Sequence, residues 1–317
     1  MSEVLFLVGP PASGKSSLRE SLSILPQPRN GSVYLNRDTE GGRVIDLLPR
    51  MIAALNEGKS VCLDNTFPTI MSRLPFIQAA QLQKATVSCM WMDTSIEDCQ
   101  INTLFRMIQE CGRIYFSQDE MKGVNNPHVF PPAVLFKYRK EFEKPSTAEG
   151  FSSVQKIKFV RKSLGYKNKG IFFDYDDTLR ATPPGSPKPF PTKPEEVVLL
   201  PKRVETIKRL KKEGYVLVGV SNQSGIARGQ VTLENALACF ERTWQLLGER
   251  IDTVFCPHNV PPVSCYCRKP QSGILVHFIH KYQLDLAQSI FVGDQTSDRT
   301  CAERMGINFE LAENFFK

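Results

Sequence analysis

The sequence predicts an α/β protein made of two three-layer α/β/α domains in tandem, each on a mainly parallel sheet. Three observations carry that expectation. The chain has 317 residues, too many for one ordinary domain and ample for two of about 150. Short apolar or β-branched runs alternate with stretches of helical period along its whole length. Those runs end in polar residues, and in open α/β sheets the carboxyl ends of the strands are where ligands bind.

Composition narrows the class further. Hydrophobic residues make up 41% and charged residues 23% of the chain, globular proportions that exclude a mainly disordered protein. No run approaches about 20 consecutive apolar residues, so no membrane span is expected. The start, MSEVLFLVGPPASGKSS, lacks a cationic segment and a small-residue cleavage site, and reads as a buried strand rather than a secretion signal. An intracellular location is expected, the nucleus in a eukaryote and otherwise the cytoplasm. The net charge of +7 is spread over both halves; it suits an anionic substrate held at local patches and is unlike a basic tail. Nine cysteines is an odd number in a chain without a secretion signal, which points to reduced thiols, some of them available as metal ligands.

In chain order, VLFLVG, SVYLN, SVCLDN and ATVSCMWMD read as buried strands of a first domain. Helical segments fall between them around Ser16–Ile24, Val44–Asn56 and Met71–Gln83. QKIKFV completes this domain as an alternating strand, and SLGYKNKG is a linker. The seam, residues 152–170, carries Lys156, Lys158, Arg161, Lys162, Lys167 and Lys169 and no acidic residue. A solvated edge strand accounts for these charges; a track for a phosphate backbone is the other reading. The expected boundary places residues 1–165 in the first domain and 166–317 in the second. There the strand candidates are GIFFDYD, YVLVGVSN, TVFCPH and SIFVGD, and the Pro-rich stretch TPPGSPKPFPTKP (182–194) reads as a loop over the adjacent site.

The first domain carries Gly9-Pro-Pro-Ala-Ser13-Gly14-Lys15-Ser16 directly after a strand and before a helix, the context that G-x-x-x-x-G-K-[ST] requires. Glycines let the backbone wrap a triphosphate and aim N–H groups at it. Lys15 would bridge β- and γ-phosphates and Ser16 would hold Mg²⁺, with Ser17 in the first turn of a helix whose dipole favours anions. ATP is the expected donor. Such a kinase needs a carboxylate to take the acceptor's proton, and Asp38 and Asp64 stand at strand ends.

This order resembles the kinase domain of polynucleotide kinase/phosphatases: the loop, NRDT, DNTFP with Ser72-Arg73, NTLFR (102–106), then YRKEFEKPSTAEGFSSV (138–154). The resemblance implies that Asp38 is the general base for a 5′-hydroxyl and that Asp64 positions that end. It makes Arg106 a lid arginine on the phosphates, although Leu104 stands where some relatives have a second arginine. Arg73 is either a substrate contact or a surface helix arginine.

In the second domain, Asp174-Tyr-Asp176-Asp-Thr follows the strand GIFF. Acidic residues two apart at a strand end point to the same side, which suits metal-assisted phosphoryl chemistry with one carboxylate as nucleophile and the other as acid/base. Ser221-Asn222-Gln223, Arg268-Lys269-Pro270, and Gly293-Asp294 with Asp298 follow in order. The set resembles haloacid dehalogenase-type phosphatases. By that resemblance Asp174 is the nucleophile, Asp176 the acid/base, and Ser221, Asn222 and Lys269 bind the phosphoryl group. Asp174, Asp294 and the backbone carbonyl of Asp176 hold Mg²⁺, with Asp298 in support. Asp177 stands where the family usually has glycine and is read as facing solvent. Cys256, His258, Cys265 and Cys267 form a C-x-H…C-x-C set suited to a tetrahedral, structural Zn²⁺ that pins the Lys269 loop. That set is most similar to the zinc-bearing histidinol-phosphate and heptose-bisphosphate phosphatases, whereas the final LAENFFK is similar to the end of polynucleotide kinase/phosphatases.

Two functions are therefore open. The first is an end-healing enzyme acting on nucleic-acid ends, with 5′-kinase and 3′-phosphatase activities and no membrane partner. The second is a bifunctional sugar kinase and sugar-phosphate phosphatase. An adaptor with inactive pockets is disfavoured, because a competent residue fills each catalytic position.

Overall fold

The computed structural model describes residues 2–21, 31–259 and 264–317. The chain divides into two compact units. The first comprises residues up to Thr103 together with Asn125–Arg161, and the second comprises Leu104–Val124 with Lys162–Lys317. The division thus falls slightly before the expected cut at residue 165, and one segment of the first half belongs with the second unit. The reason is local: the Tyr266 N–H donates to the Phe116 carbonyl at 2.8 Å, and the Phe116 ring meets the edge of His277 at 6.4 Å.

In the first unit, β1 (Glu3–Val8), β2 (Ser32–Leu35), β3 (Ser60–Asp64), β4 (Thr86–Asp93) and β5 (Ser153–Lys158) form one parallel sheet in the order β2-β3-β1-β4-β5. Alternate side chains of β1 enter separate cores. Val4, Phe6 and Val8 join one with Phe67, Phe76 and Phe151, while Leu5 and Leu7 join another with Cys62 and Leu18. Both faces of the sheet are therefore covered, as a parallel sheet requires. The helices are α1 (Lys15–Ser21), α2 (Arg37–Glu40), α3 (Leu48–Asn56), α4 (Ile70–Leu82), α5 (Ile96–Cys111) and α6 (Pro132–Glu141).

The helix expected over 16–24 begins at Lys15, and its positions after residue 21 lie outside the described residues. The helix expected over 44–56 divides into a 3₁₀ turn, Val44–Leu47, and α3, with Pro49 in the first turn of α3, where its missing N–H costs nothing. β5 is the edge strand that the seam lysines imply, largely exposed along its length.

In the second unit, β6 (Gly170–Phe173), β7 (Arg180–Ala181), β8 (Val198–Leu199), β9 (Val216–Asn222), β10 (Asp252–Cys256), β11 (Ile290–Gly293) and β12 (Asn308–Leu311) occur in chain order. Five of them make a parallel sheet, β10-β9-β6-β11-β12, and β7 and β8 pair antiparallel. The helices are α7 (Arg203–Lys212), α8 (Ser224–Ala227), α9 (Leu233–Leu247), α10 (Gly273–Tyr282), α11 (Thr296–Met305) and α12 (Ala312–Phe315). β6 is buried at each residue, with β9 and β11 on either side. The carboxyl ends of these three strands deliver Asp174, Ser221 and Asp294 to one edge of the sheet. Among the described residues, no helix is long and apolar enough to cross a membrane.

Candidate active sites

In the first unit the loop between β1 and α1 is held from behind. Thr94 Oγ1 donates to the Ser13 carbonyl at 2.9 Å and Asn102 Nδ2 to the Ala12 carbonyl at 2.8 Å. Arg161 in turn donates to Asn102 Oδ1 at 2.9 Å and pairs with Asp98 at 2.7 Å. One of the seam's basic residues is thereby part of the loop's brace. Gly9 and Gly14 have φ of +158° and +95°, and a Cβ on Gly9 would stand 2.8 Å from Ser13 Oγ. The Lys15 ammonium donates to the carbonyls of Gly9 and Pro10 at 2.9 Å each.

Asp64, buried at the end of β3, accepts from Tyr34 O–H at 2.8 Å and from Ser16 Oγ at 3.4 Å. Tyr34 also accepts from Asn36 Nδ2 at 3.1 Å; burial and the neighbouring Asp64 push its phenol up to about 12. The structure thus joins Asp64 to Ser16, the residue expected to hold Mg²⁺, a placement different from the expected one at the acceptor end. Asp38 sits on exposed α2, its N–H capped by Asn36 Oδ1 at 2.7 Å and its carboxylate paired with Arg37 at 2.6 Å. Ser17 is exposed and Ser13 is buried. Arg106 is half-buried on the part of α5 that belongs to the second unit, so the unit containing the loop does not include it.

Arg73 requires a correction. It is neither a substrate contact nor a surface residue: it is 0% exposed. Its Nε and Nη2 donate to both oxygens of Glu149 at 2.6 and 2.9 Å, and Nη1 donates to the Phe67 carbonyl at 2.9 Å. Each of the three guanidinium nitrogens is engaged inside the fold. This gives the AEGF stretch a physical meaning: Glu149 neutralises Arg73, Gly150 turns at φ +108°, and Phe151 packs on Phe6 at 5.2 Å.

In the second unit Asp174 and Lys269 are buried together. Lys269 Nζ donates to Asp174 at 2.5 Å and to the Val220 carbonyl at 2.9 Å, and pairs with Asp298 at 2.8 Å. Burial alone would lower the lysine's pKa, but Asp174 and Asp298 outweigh it and hold the ammonium above its usual range. Burial pushes the Asp174 carboxyl up, and Lys269 opposes the rise. Asn222 clasps the Lys269 backbone in both directions, at 3.0 and 3.2 Å, which positions that lysine, and it also lines the cavity. Ser221 Oγ accepts from Gln223 at 2.8 Å.

Carboxylate oxygens of Asp174, Asp294 and Asp298 lie within 4.8 Å of one another and could hold a cation. Asp298 is also committed to Lys269 and, at 3.0 Å, to the Gln295 N–H that starts α11. Its carboxylate approaches Gly293 so closely that a Cβ there would lie 2.4 Å away. Asp177 is exposed, as expected, with φ +60°, a conformation that Asp and Asn tolerate better than most residues and Gly adopts freely; it also lines the site's cavity.

Asp174, Asp176, Ser221, Lys269 and Asp298 line a cavity of about 260 Å³ together with Pro189 and Phe190 of the Pro-rich loop, Gln223 and Arg228. The sequence reading overlooked two partners of Asp176. Arg180 Nε donates to its Oδ1 at 2.8 Å and Gln223 Nε2 to its Oδ2 at 3.0 Å. The signals available were the i,i+4 spacing of Asp176 and Arg180 and the third residue of Ser-Asn-Gln.

Cys256, His258, Cys265 and Cys267 come together at the end of β10. Cys256 Sγ lies 3.6 Å from His258 Nδ1 and 3.7 Å from Cys265 Sγ, and Cys267 Sγ lies 3.4 Å from His258 Nδ1, close to the edges of a tetrahedron about a zinc ion, roughly 3.5–3.8 Å for ordinary Zn–S and Zn–N bonds. The four residues therefore fit that metal in both donor type and spacing.

Residues 169–316 match the family model described as polynucleotide kinase 3 phosphatase. The D-glycero-beta-D-manno-heptose-1,7-bisphosphate 7-phosphatase of Haemophilus influenzae is 35% identical over 140 residues, covering 41% of this chain and 73% of that protein. Among solved structures, the D,D-heptose 1,7-bisphosphate phosphatase from B. bronchiseptica, complexed with magnesium and phosphate, is 28% identical. It covers 46% of this chain and 80% of its own, with a TM-score of 0.41. A chain of the Pnkp1/Rnl/Hen1 RNA repair complex covers 98% of this chain and 95% of its own at 15% identity and a TM-score of 0.32. Through residues 169–316, the chain belongs to the polynucleotide kinase 3 phosphatase family of haloacid dehalogenase-type phosphatases.

Proposed function

We propose that the chain heals nucleic-acid ends, phosphorylating 5′-hydroxyls from ATP in the first unit and removing 3′-phosphates in the second. The observation that carries this reading is the pairing of two phosphate sites in one chain. One is a braced loop with Lys15, Ser16 and Asp64; the other is the Asp174–Lys269 site, within a stretch whose family description joins kinase and phosphatase. Breaks ending in 5′-hydroxyl and 3′-phosphate need both reactions before they can be ligated.

In the first unit, Lys15 neutralises the β- and γ-phosphates, Ser16 and Asp64 hold Mg²⁺, and Asp38 takes the proton of the acceptor hydroxyl. In the second unit, Asp174 attacks phosphorus and the bond to the leaving oxygen breaks, that oxygen receiving a proton from Asp176. Asp176 then takes a proton from water as water's oxygen displaces Asp174, releasing inorganic phosphate and restoring both carboxyl groups. Lys269 and Ser221 hold the phosphoryl oxygens; Asp174, Asp294 and the Asp176 carbonyl would hold a Mg²⁺ ion, which would supply further charge neutralisation. Zinc on Cys256, His258, Cys265 and Cys267 fixes the loop that carries Lys269.

A second reading, a small sugar phosphate as the phosphatase substrate, is favoured by the names of the heptose-bisphosphate relatives. One paired assay separates the two. Labelled γ-phosphate is offered with 5′-hydroxyl DNA and RNA, and phosphate release is measured from 3′-phosphorylated oligonucleotides beside a panel of sugar phosphates. Turnover at both polynucleotide ends is expected. Transfer to no polynucleotide, together with rapid hydrolysis of a sugar phosphate, would replace the first reading with the second.

A further inference from the structure

Arg180 is 1% exposed, and among the described residues Asp176 is the one carboxylate it pairs with. A guanidinium is costly to bury, so its surroundings are informative. Its carbon lies 4.7 Å from the centre of the Phe240 ring and 5.2 Å from that of Tyr175. Nη1 donates to Thr243 Oγ1 at 3.2 Å, and that hydroxyl donates to the Cys239 carbonyl at 2.7 Å. Tyr175 is itself fixed by Trp244 Nε1 at 2.8 Å. The arginine is thus seated among fixed neighbours, and its Nε lies 2.8 Å from Asp176 Oδ1.

The other carboxylate oxygen meets Gln223, which lines the cavity and also bonds Ser221 Oγ at 2.8 Å. The two oxygens of Asp176 are therefore not equivalent. Oδ1 is turned inward to a seated cation, and Oδ2 is turned toward the cavity wall.

We infer that Arg180 is a positioning residue for the phosphatase reaction: it anchors Asp176 through Oδ1, so that Oδ2 is the atom that gives and takes the proton. This rests on the phosphatase reading above and deepens it. In the first half-reaction the proton leaves Oδ2 for the departing oxygen as the P–O bond breaks. In the second, Oδ2 takes a proton from the water that displaces Asp174. Both half-reactions need the same oxygen at the same place, and a carboxylate free to rotate would satisfy neither well.

Leaving-group chemistry tests this. A p-nitrophenolate departs without a proton, so with p-nitrophenyl phosphate only the second half-reaction depends on Asp176. Arg180→Met keeps length and an apolar contact for the rings while removing the anchor. With this variant, we expect a burst of nitrophenolate stoichiometric with enzyme, followed by a steady rate at least about tenfold below wild type, within the range by which positioned acid–base groups contribute. On an alkyl phosphate such as a 3′-phosphorylated oligonucleotide, kcat should fall further and KM should change by less than about twofold. A merely structural defect would lower burst and steady rate together, in proportion to the folded fraction, and that result would overturn the inference.

Should Arg180→Met fail to fold, Arg180→Lys and Thr243→Val serve instead. Lysine keeps the charge without Nε, and valine unseats the guanidinium from outside the site; both should raise the burst relative to the steady rate. Wild-type behaviour in both would overturn the inference. A wild-type protein inert on every phosphomonoester would overturn the phosphatase reading itself, which is distinguishable from an active wild type with an ordinary Arg180 variant.

Discussion

Arg73 and Glu149 are separated by 76 positions and meet with two hydrogen bonds in a dry interior, at 0% and 4% exposure of their side chains. Such a pair contributes little net stability when complete, because desolvation offsets attraction, but removing one partner strands a buried charge. Arg73→Met should therefore destabilise the first unit by about 3–5 kcal/mol, read as a shift of the urea midpoint by circular dichroism. Adding Glu149→Leu should recover most of that loss. If the double variant were as unstable as the single one, the pair would not be the cause. Nothing in the sequence around Arg73 marks it as buried, since Thr-Ile-Met-Ser-Arg reads as the start of an ordinary helix. Its partner lies beyond one strand and two helices, and only the closed fold brings the carboxylate to it. Arg180 stands only four residues from Asp176, but the seat that buries it comes from Phe240 and Thr243, 63 positions on in the case of Thr243. The residues of the loop and of the Asp-x-Asp motif were legible because their chemistry depends on neighbours in the chain.

At the level of elements, strands ending in chemistry were the readable ones: β1, β3, β6, β9 and β11 are buried runs that stop at Gly9, Asp64, Asp174, Asn222 and Asp294. The short β7 and β8 pair and the edge strand β12 carry too few apolar residues to stand out, with Asn308 and Glu310 exposed along β12. The cysteine–histidine cluster ends β10 and leads into the loop of Lys269. Cys265→Ser should lower phosphatase activity and the Tm of the second unit, spare the first, and reduce bound zinc from about one per chain to a small fraction. Full zinc content by elemental analysis in that variant would refute the four-residue assignment.

The Pro-rich loop has its own fastening. Glu196 accepts from the Thr192 N–H at 2.8 Å and from Lys188 at 2.5 Å, and these donors hold its carboxyl at about 2 instead of the usual 4.5. A carboxyl depressed in the folded state stabilises fully above its unfolded pKa, and that contribution is lost as pH falls from about 4.5 through 2. Glu196→Gln should therefore loosen residues 188–196 at neutral pH, raising hydrogen exchange there. The difference from wild type should vanish in acid; a difference that persists at low pH would assign the fastening to other contacts.

For the molecule as a whole, the two candidate phosphate sites fall in separate units, and each unit contains its own sheet and core. Lys15→Ala and Asp38→Ala should each abolish phosphate transfer to 5′-hydroxyl ends while leaving phosphate release within about twofold of wild type, and Asp174→Asn should do the reverse. Asp38→Ala should bind ATP almost as wild type does, because the role proposed for Asp38 is on the acceptor, whereas Lys15→Ala should bind it less well. Loss of both activities from a single substitution would mean that the units do not work independently.

Glu149 also has a consequence in time. Synthesis proceeds from the N-terminus at about 5–20 residues per second, so Arg73 leaves the ribosome well before the carboxylate that neutralises it. Until Glu149 emerges, the nascent first unit has a charged helix that it cannot bury and a sheet still lacking β5. Its closure is deferred to the last stretch of its own chain, and the AEGF segment is the latch. A ribosome-bound fragment ending near residue 145 should be digested readily by protease. One long enough to free residue 161 from the exit tunnel should resist it.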